Sequence, residues 1–334
     1  MLLEIKNLKT YFDTDHGMVK AVDGINFTVE KQKTVGIVGE SGSGKTVTAQ
    51  SILQIMPWPG KIVDGQILFH KNDEIIDIAK LGNKSDAIRK IRGKEIAYIF
   101  QEPMSSLSPI HKIGDQITEA IRVHDKSLNK KEAKNHAIKL LNDVGMPNPE
   151  KTIDKYTFQL SGGMRQRAMI AMSLACNPKL LIADEPTTAI DVTIQAQILK
   201  LLKNLQEKFG MSILIITHDL SVIAEMADEV VVMYLGKIVE NGSVYNIFDN
   251  PSHPYTKALL KSIPGASSEK YLKTIKGVVP DPFSIPKGCE FQPRCEFAIK
   301  GICEKSKPPV IEIEKGHYSR CFLHTEKRAE TNNG

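Results

Sequence analysis

The segment from Gly39 to Thr46 reads GESGSGKT and combines glycines, small hydroxyl residues and a lysine. It matches the pattern GxxxxGK followed by Ser or Thr, and it lies between an apolar run and a stretch with helical spacing. Glycines let backbone N–H groups close around an anion, and the following helix N-terminus adds a favourable dipole. Lys45 would reach the β- and γ-phosphates, and Thr46 would ligate Mg²⁺. The predicted phosphate-binding residues are Gly39, Ser41, Gly42, Ser43, Gly44, Lys45 and Thr46.

A pair of carboxylates follows the apolar run of LLIADEP. An acidic residue at the end of a buried parallel strand projects into the crevice where ligands bind in such sheets. We therefore expect Asp184 to hold the Mg²⁺ coordination sphere. Glu185, its neighbour, is the expected base or water-orienting group for hydrolysis.

The segment LSGGMRQR places Ser161, Gly162 and Gly163 at the start of a helical stretch. Bare N–H groups and the helix dipole make such a position a second anion site. Because one chain needs only one phosphate loop, the second site predicts that nucleotide is bound across a dimer.

Taken together, these motifs resemble those of the ATP-binding-cassette (ABC) ATPases, and they occur in that family's order over about residues 1–250. Gln101 in IFQEP resembles the Q-loop, Thr187–Asp191 (TTAID) the D-loop, and His218 in ITHD the switch histidine. The resemblance implies that Gln101 senses Mg²⁺ and the attacking water, that His218 contacts the γ-phosphate, and that Asp191 belongs to the nucleotide site.

The resemblance also implies how ATP is held and hydrolysed. Two cassettes would close head-to-tail and sandwich ATP between the phosphate loop of one and Ser161 and Gly163 of the other. The catalytic set would be Lys45, Gln101, Glu185 and His218. An aromatic side chain of KTYFD would stack on adenine, and the offset from the preceding strand favours Phe12 over Tyr11, although either could belong to the core.

The elements that position these residues indicate an α/β fold. Alternating polar and apolar residues near the N-terminus predict antiparallel strands, and apolar runs alternating with helical stretches predict a parallel sheet. We expect a P-loop NTPase of ABC type: a mixed sheet core, an antiparallel β subdomain and a helical subdomain at about residues 102–175. The predicted domains are 1–263, a small, irregular cysteine-rich domain at 264–326 that begins near Pro264 or Gly265, and a disordered tail at 327–334.

Charge and hydropathy restrict the class of protein further. The chain has 334 residues and a net charge of +5, which is too weak and too evenly spread to indicate a nucleic-acid partner. No apolar run approaches the length of a membrane span, and charges inside the first apolar stretch argue against a secretory signal peptide. A cytosolic location is expected, which disfavours disulfides.

Three further segments resemble one branch of the family, the dipeptide and oligopeptide importer ATPases. They are IFQEPMSSLSP, the stretch from GMRQR to AQIL, and NPSHPYTKALLKSIPG. Met164 after the signature glycines resembles the first of that system's two ATPase subunits. The resemblance implies a heterodimer with a second homologous ATPase, two transmembrane permease subunits and an extracytoplasmic solute-binding protein. The chain would lie peripherally on the cytoplasmic face of the cell membrane.

Other functions stay open at this point. Nickel importers of the same branch have similar ATPases, so the solute could differ. An ABC ATPase that regulates or remodels without transport is another class. A phosphate-loop kinase is a third, but it would not explain the LSGG and TTAID motifs.

Four of the five cysteines lie in the C-terminal segment, at Cys289, Cys295, Cys303 and Cys321. Core thiols, disulfides and metal ligands are the competing interpretations, and the fifth, Cys176, is expected in the core. The clustering argues against core packing, and a reducing compartment argues against disulfides. A metal site would stabilise a small domain with little apolar core.

The spacings of five, seven and seventeen residues lack the close pairs of structural zinc sites, whereas wider spacings can surround an iron–sulfur cluster. The peptide-importer ATPases share a cysteine-rich C-terminal segment, and the resemblance implies a cluster in some of them. We therefore predict a 4Fe–4S cluster on the four cysteines. Zinc is the alternative, with His317 and His324 either as ligands or as surface residues.

Overall fold

The computed structural model describes residues 1–72, 74–102, 106–188, 191–263 and 275–325. Several predictions fall outside those ranges: the domain boundary near Pro264 or Gly265, the tail at 327–334, and residues 189 and 190 of the TTAID motif.

Within the described ranges the chain forms twelve strands and ten α-helices. The strands are β1 (Leu3–Thr14), β2 (Gly17–Val29), β3 (Thr34–Val38), β4 (Gly60–Lys71), β5 (Glu74–Asp77), β6 (Ile96–Ile99), β7 (Leu180–Asp184), β8 (Ser212–Thr217), β9 (Glu229–Tyr234), β10 (Lys237–Ser243), β11 (Ile311–Glu314) and β12 (His317–Ser319). The helices are α1 (Lys45–Ile52), α2 (Asp86–Ile91), α3 (Ile113–His124), α4 (Lys130–Asp143), α5 (Pro149–Thr152), α6 (Gly162–Ser173), α7 (Val192–Phe209), α8 (Leu220–Met226), α9 (Val244–Asp249) and α10 (Pro254–Lys261).

The first of two compact units comprises residues 1–28, 35–79 and 217–334. It contains an antiparallel sheet in the order β2-β1-β4-β5 and a second set of strands in the order β11-β12-β10-β9-β3. β3 and β9 run parallel, whereas the pairs β9–β10, β10–β12 and β12–β11 are antiparallel. All five residues of β3 are buried, which explains why its sequence reads as an unbroken apolar run.

The second unit comprises residues 29–34 and 80–216. Its strands β8, β7 and β6 are parallel, and every residue of β7 is buried. The helices α3 to α6 lie between β6 and β7 in the chain. In α3 the buried Ile113, Ile117 and Ile121 are spaced one turn apart, so that one face of the helix packs inward.

The C-terminal residues 275–325 belong to the first unit and have little regular structure besides β11, β12 and two 3₁₀ turns. A buried carboxylate joins them to β10. Glu240 is 0% exposed and accepts hydrogen bonds from the backbone N–H groups of Ser252 (2.6 Å) and His253 (2.9 Å). The same carboxylate pairs with His317 Nε2 of β12 at 2.8 Å.

The predicted antiparallel sheet and the predicted parallel strands are thus both observed. Among the described residues, no helix combines the length and the apolar character that crossing a membrane requires.

Candidate functional site

The phosphate loop follows β3 and is built around glycines that no other residue could replace. A Cβ on Gly39 would lie 2.2 Å from the carbonyl oxygen of Met233, and one on Gly44 would lie 2.2 Å from that of Ala21. Gly44 also has φ of 100°, a conformation that favours glycine. The backbones of β9 and β2 therefore press against the loop and fix its path.

Lys45 opens α1 directly behind the loop. Its side chain is buried, and its ammonium donates to the carbonyl oxygens of Gly39 at 2.7 Å and Glu40 at 3.0 Å. Ser41, Gly42 and Thr46 are exposed. The loop thus combines exposed residues with a cation held beneath them, as polyphosphate binding requires.

His218 is in the same unit as the phosphate loop. It is exposed immediately after β8, and the next residue, Asp219, caps α8 by accepting from the N–H of Ser221 at 2.8 Å. Capping fixes the start of α8 and hence the backbone on which the imidazole is mounted.

The two aromatic candidates for adenine stacking differ in their contacts. Tyr11 donates its hydroxyl to Asp23 at 2.6 Å, and Lys20 lies over its ring at 5.6 Å. Phe12 pairs with Gly60 across β1 and β4, and a Cβ on Gly60 would come within 2.7 Å of the Phe12 ring. Because Tyr11 is engaged by these polar contacts, Phe12 stays the predicted stacking residue.

In the second unit, Asp184 ends β7 with its carboxylate held by a tyrosine. Tyr98 of β6 donates its hydroxyl to Asp184 Oδ2 at 2.7 Å, and Asp184 is 4% exposed. Burial and the nearby carboxylate both raise the pKa of Tyr98, so its hydroxyl keeps its proton at neutral pH. Tyr98 was not among the predicted site residues, because no motif marks it and its proximity to Asp184 arises from the pairing of β6 with β7.

Two side chains donate hydrogen bonds to the same carboxylate oxygen of Glu185. Gln101 Nε2 donates to Glu185 Oε2 at 2.9 Å, and the Thr188 hydroxyl donates to it at 2.9 Å. Glu185 has φ of 46°, a left-handed conformation that is uncommon for a residue with a side chain. Its N–H also bonds the carbonyl of Ile216 at 2.8 Å. The structure thus brings the predicted Gln101 and Glu185 together and adds Thr188, which sequence reasoning missed.

Ser161 and Asp191 each begin a helix. Ser161 caps α6 by accepting from the N–H of Met164 at 3.4 Å, and Asp191 caps α7 by accepting from the N–H of Ile194 at 2.9 Å. Ser161, Gly162 and Asp191 are exposed. Gln166 of α6 is buried and donates to the carbonyl of Pro186 at 2.6 Å, so that the signature segment is tied to the residue after Glu185.

The cysteine prediction is wrong. Among the described residues, which include all four cysteines, no group of three or more His, Cys, Asp or Glu is placed to hold a metal ion. Cys289, Cys295, Cys303 and Cys321 line a cavity of about 10 Å³. A water molecule needs roughly 10–15 Å³, so this space has no room for a 4Fe–4S cluster.

The physical reason is burial. It raises the pKa of Cys289 to about 12 and that of Cys321 to about 11, because the surroundings disfavour the thiolate and favour the neutral thiol. The thiols pack as small apolar groups beside aromatic rings such as Phe291. The zinc alternative needs the same ligand group, and its histidines are otherwise engaged, His317 by Glu240 and His324 by the carbonyl of Ser252.

Two segments of the chain match models of known protein families. Residues 22–188 match the family model described as ABC transporter. Residues 239–303 match the model described as the C-terminal region of oligopeptide/dipeptide transporters.

Two relatives from Bacillus subtilis (strain 168) are similar over nearly the whole chain. The oligopeptide transport ATP-binding protein AppD is 50% identical over 331 residues, which cover 98% of this chain and 98% of AppD. The oligopeptide transport ATP-binding protein OppD is 50% identical over 325 residues, which cover 96% of this chain and 88% of OppD.

Among solved structures, the fold is similar to that of dimeric MJ0796, described as a bacterial ABC transporter cassette. The TM-score is 0.64 at 24% identity, over 73% of this chain and 99% of that chain. At this identity the likeness concerns the fold alone. It confirms the fold class predicted from the sequence.

Proposed function

We propose that this chain, which belongs to the ABC transporter family, is the ATP-hydrolysing subunit of an importer of di- and oligopeptides. ATP binding and hydrolysis are the activity of that family. The peptide substrate is supported by the names of AppD and OppD and by the match of residues 239–303 to the oligopeptide/dipeptide transporter region. The observation that carries the catalytic assignment is the hydrogen bond from Gln101 to Glu185.

Glu185 is the general base. Gln101 and Thr188 both donate to one of its oxygens, which fixes the orientation of the carboxylate after β7. A carboxylate held in this way orients a water molecule and accepts its proton as the water oxygen attacks the γ-phosphorus, while the bond from that phosphorus to the β–γ bridging oxygen breaks and ADP leaves. The Lys45 ammonium and the His218 imidazole contact the γ-phosphate, where charge develops in the transition state.

The donor set suits magnesium. Mg²⁺ takes oxygen ligands, and the residues that would hold it are Thr46 through its hydroxyl, Asp184 through its carboxylate and Gln101 through its amide oxygen. When bound, Mg²⁺ neutralises charge on the β- and γ-phosphates. The Tyr98 hydroxyl holds the Asp184 carboxylate in place, and such outer partners orient metal ligands.

Two cassettes close head-to-tail around ATP. Ser161 and Gly162 are exposed at the start of α6, where backbone N–H groups and the helix dipole face an anion. They meet the nucleotide on the phosphate loop of the partner cassette, with Gly163 and Asp191 beside them and Phe12 against the adenine. The partner is a second homologous ATPase.

An apolar groove in the second unit is the docking site for a helix of the membrane permease. The groove has a volume of about 240 Å³ and lies among β6, α3 and α6, where Phe100, Val123 and Met172 line it. Phe100 is 42% and Val123 61% exposed, so the groove presents apolar side chains to solvent. Phe100 adjoins Gln101, so a helix in the groove reaches the residue that holds Glu185.

The assembly follows from this docking. Two permease subunits each receive a cassette on the cytoplasmic face of the membrane, and an extracytoplasmic solute-binding protein delivers the peptide. Hydrolysis is thereby coupled to import.

The experiment is complementation of a strain that lacks the gene, with uptake of labelled dipeptide, labelled pentapeptide and nickel measured in parallel. We expect the wild-type gene to restore peptide uptake, and Lys45→Ala, expressed at the same level, to restore none. Restored nickel uptake without peptide uptake would exclude the peptide substrate. Restoration by Lys45→Ala would exclude ATP-driven transport by this chain.

A further inference from the structure

An ion pair joins the C-terminal segment to the phosphate loop. Arg294 Nη1 donates to Glu40 Oε2 at 2.6 Å, and Nη2 donates to Glu40 Oε1 at 3.0 Å. Both residues belong to the first unit, although 254 positions separate them in the sequence. Two parallel N–H···O bonds of this kind fix direction as well as distance.

Glu40 is the second residue of the loop, and every polar group it has is engaged. Its N–H donates to the Tyr255 hydroxyl at 2.8 Å. Its carbonyl accepts from Lys45 at 3.0 Å and from the N–H of Ser43 at 3.2 Å. Together with the bonds from Arg294 to the carboxylate, these contacts fix the N–H, the carbonyl and the side chain of Glu40.

Arg294 is itself immobilised. Its side chain is 3% exposed, and its Nε donates to the carbonyl of Lys276 at 3.0 Å. The guanidinium lies 5.9 Å from the ring centre of Tyr234 and 6.0 Å from that of Phe291. A planar cation held between a carboxylate and aromatic rings costs little further ordering when ATP binds.

The charge of Glu40 is the reason for the pair. A carboxylate inside a loop that binds a polyphosphate repels the ligand, and the repulsion is strong where water is partly excluded. Arg294 neutralises that carboxylate by donating to both of its oxygens.

We propose that Arg294 is a positioning residue for ATP, which holds the phosphate loop through Glu40 and cancels its negative charge. The inference rests on the proposed ATP site. It makes nucleotide affinity depend on the folded C-terminal segment, which lies outside the residues 22–188 that match the ABC transporter model.

The test measures ATP affinity with a fluorescent nucleotide, together with kcat, KM and the melting temperature, for Arg294→Ala, Arg294→Lys, Glu40→Gln and the double variant R294A/E40Q. Lys300→Ala is the matched control, because it removes an exposed cation from the same segment. We expect Arg294→Ala to weaken ATP affinity and raise KM by about tenfold, with a smaller change in kcat, because it leaves a charge unpaired beside the ligand. Arg294→Lys keeps the charge without the paired geometry and should give an intermediate loss.

The double variant separates a role in ATP binding from a role in folding. Removing the Glu40 charge in the Arg294→Ala background should recover most of the affinity, even though neither variant restores the lost contacts. If Arg294→Ala does not fold, the ATP affinity of Arg294→Lys is the test. Wild-type affinity in Arg294→Lys would show that ATP binding does not need the bidentate pair and would overturn the inference. Wild-type affinity in Arg294→Ala, or a loss that Glu40→Gln does not recover, would overturn the inference. A wild-type protein that binds no ATP would overturn the proposed function as well.

Discussion

Gln101 donates its side-chain amide to the carboxylate of Glu185 across 2.9 Å. One residue follows β6 and the other follows β7, two adjacent parallel strands whose ends meet at the same edge. The amide thereby connects the residue after Phe100, which lines the apolar groove, to Glu185, the proposed general base. In the proposed mechanism, a movement of Gln101 would change the orientation of Glu185 and so let the permease control hydrolysis.

Glu185→Gln should bind ATP with nearly unchanged affinity and hydrolyse it at least about 100-fold more slowly, because the amide cannot accept the proton of the attacking water. Steady-state phosphate release and equilibrium binding of labelled ATP measure the two quantities. Glu207→Gln, on the exposed face of α7, is the matched control and should hydrolyse normally. Near-normal turnover in Glu185→Gln would exclude Glu185 as the base.

Tyr98→Phe should raise the Mg²⁺ concentration that half-saturates the ATPase by about tenfold, since outer partners of metal ligands affect metal affinity by about 10- to 100-fold. The change removes only the hydroxyl that donates to Asp184. A Mg²⁺ titration at saturating ATP checks it. Tyr245→Phe, which alters a 75% exposed tyrosine, is the control, and equal Mg²⁺ dependence in the two variants would contradict the role of Tyr98.

Val123→Glu should prevent assembly with the permease while ATP binding by the isolated subunit persists. A carboxylate buried against an apolar helix is left unpaired, and a loss of about 1.4 kcal/mol already weakens association tenfold. Co-purification with the permease and peptide uptake are the readouts. Val63→Glu is the control, because it places the same charge at Val63 of β4, a side chain that is 49% exposed. If both variants assemble equally well, the groove is not the docking site.

Acidification should destabilise the fold through His253. Burial lowers the pKa of His253 from 6.5 to about 4. Between these values the unfolded chain binds a proton that the folded chain does not, so the free energy of unfolding falls as the pH falls, by about 1 kcal/mol per pH unit. Urea unfolding at pH 7, 6 and 5 measures the slope.

His253→Asn keeps an acceptor for the N–H of Tyr255 at the start of α10 but cannot titrate, so its slope should be smaller. His16→Asn, at an exposed histidine, should keep the wild-type slope. The pKa of the neighbouring Glu240 is lowered from 4.5, and that carboxylate loses its contribution only below that value, outside the measured range. An unchanged slope in His253→Asn would assign the pH dependence to another group.

Local elements were predictable because short-range patterns determine them. The helical subdomain expected at about residues 102–175 contains α3, which spans Ile113–His124. The apolar runs ahead of the phosphate loop and of Glu185 are the buried strands β3 and β7. The helical stretch expected after the phosphate loop is α1, which ends at Ile52 because Gln54 takes a left-handed conformation with φ of 51°.

Contacts between distant parts of the chain were not predictable. Nothing near Arg294 in the sequence indicates that its partner is Glu40, and no motif marks Tyr98 as a donor to Asp184. The cysteine spacing correctly suggested that the four thiols lie close together. It could not indicate whether they surround a metal or pack against aromatic rings, since that depends on burial and on the volume left between them.

The buried Glu240 has a consequence for how such proteins can be recombined. Its carboxylate belongs to β10, yet one of its partners, His317, comes from the far end of the chain. A gene that ended after α10, or a chimera with a foreign C-terminal segment, would keep the acid and lose the imidazole. When that segment is transferred between homologues, the residues at positions 240 and 317 must therefore come from the same protein.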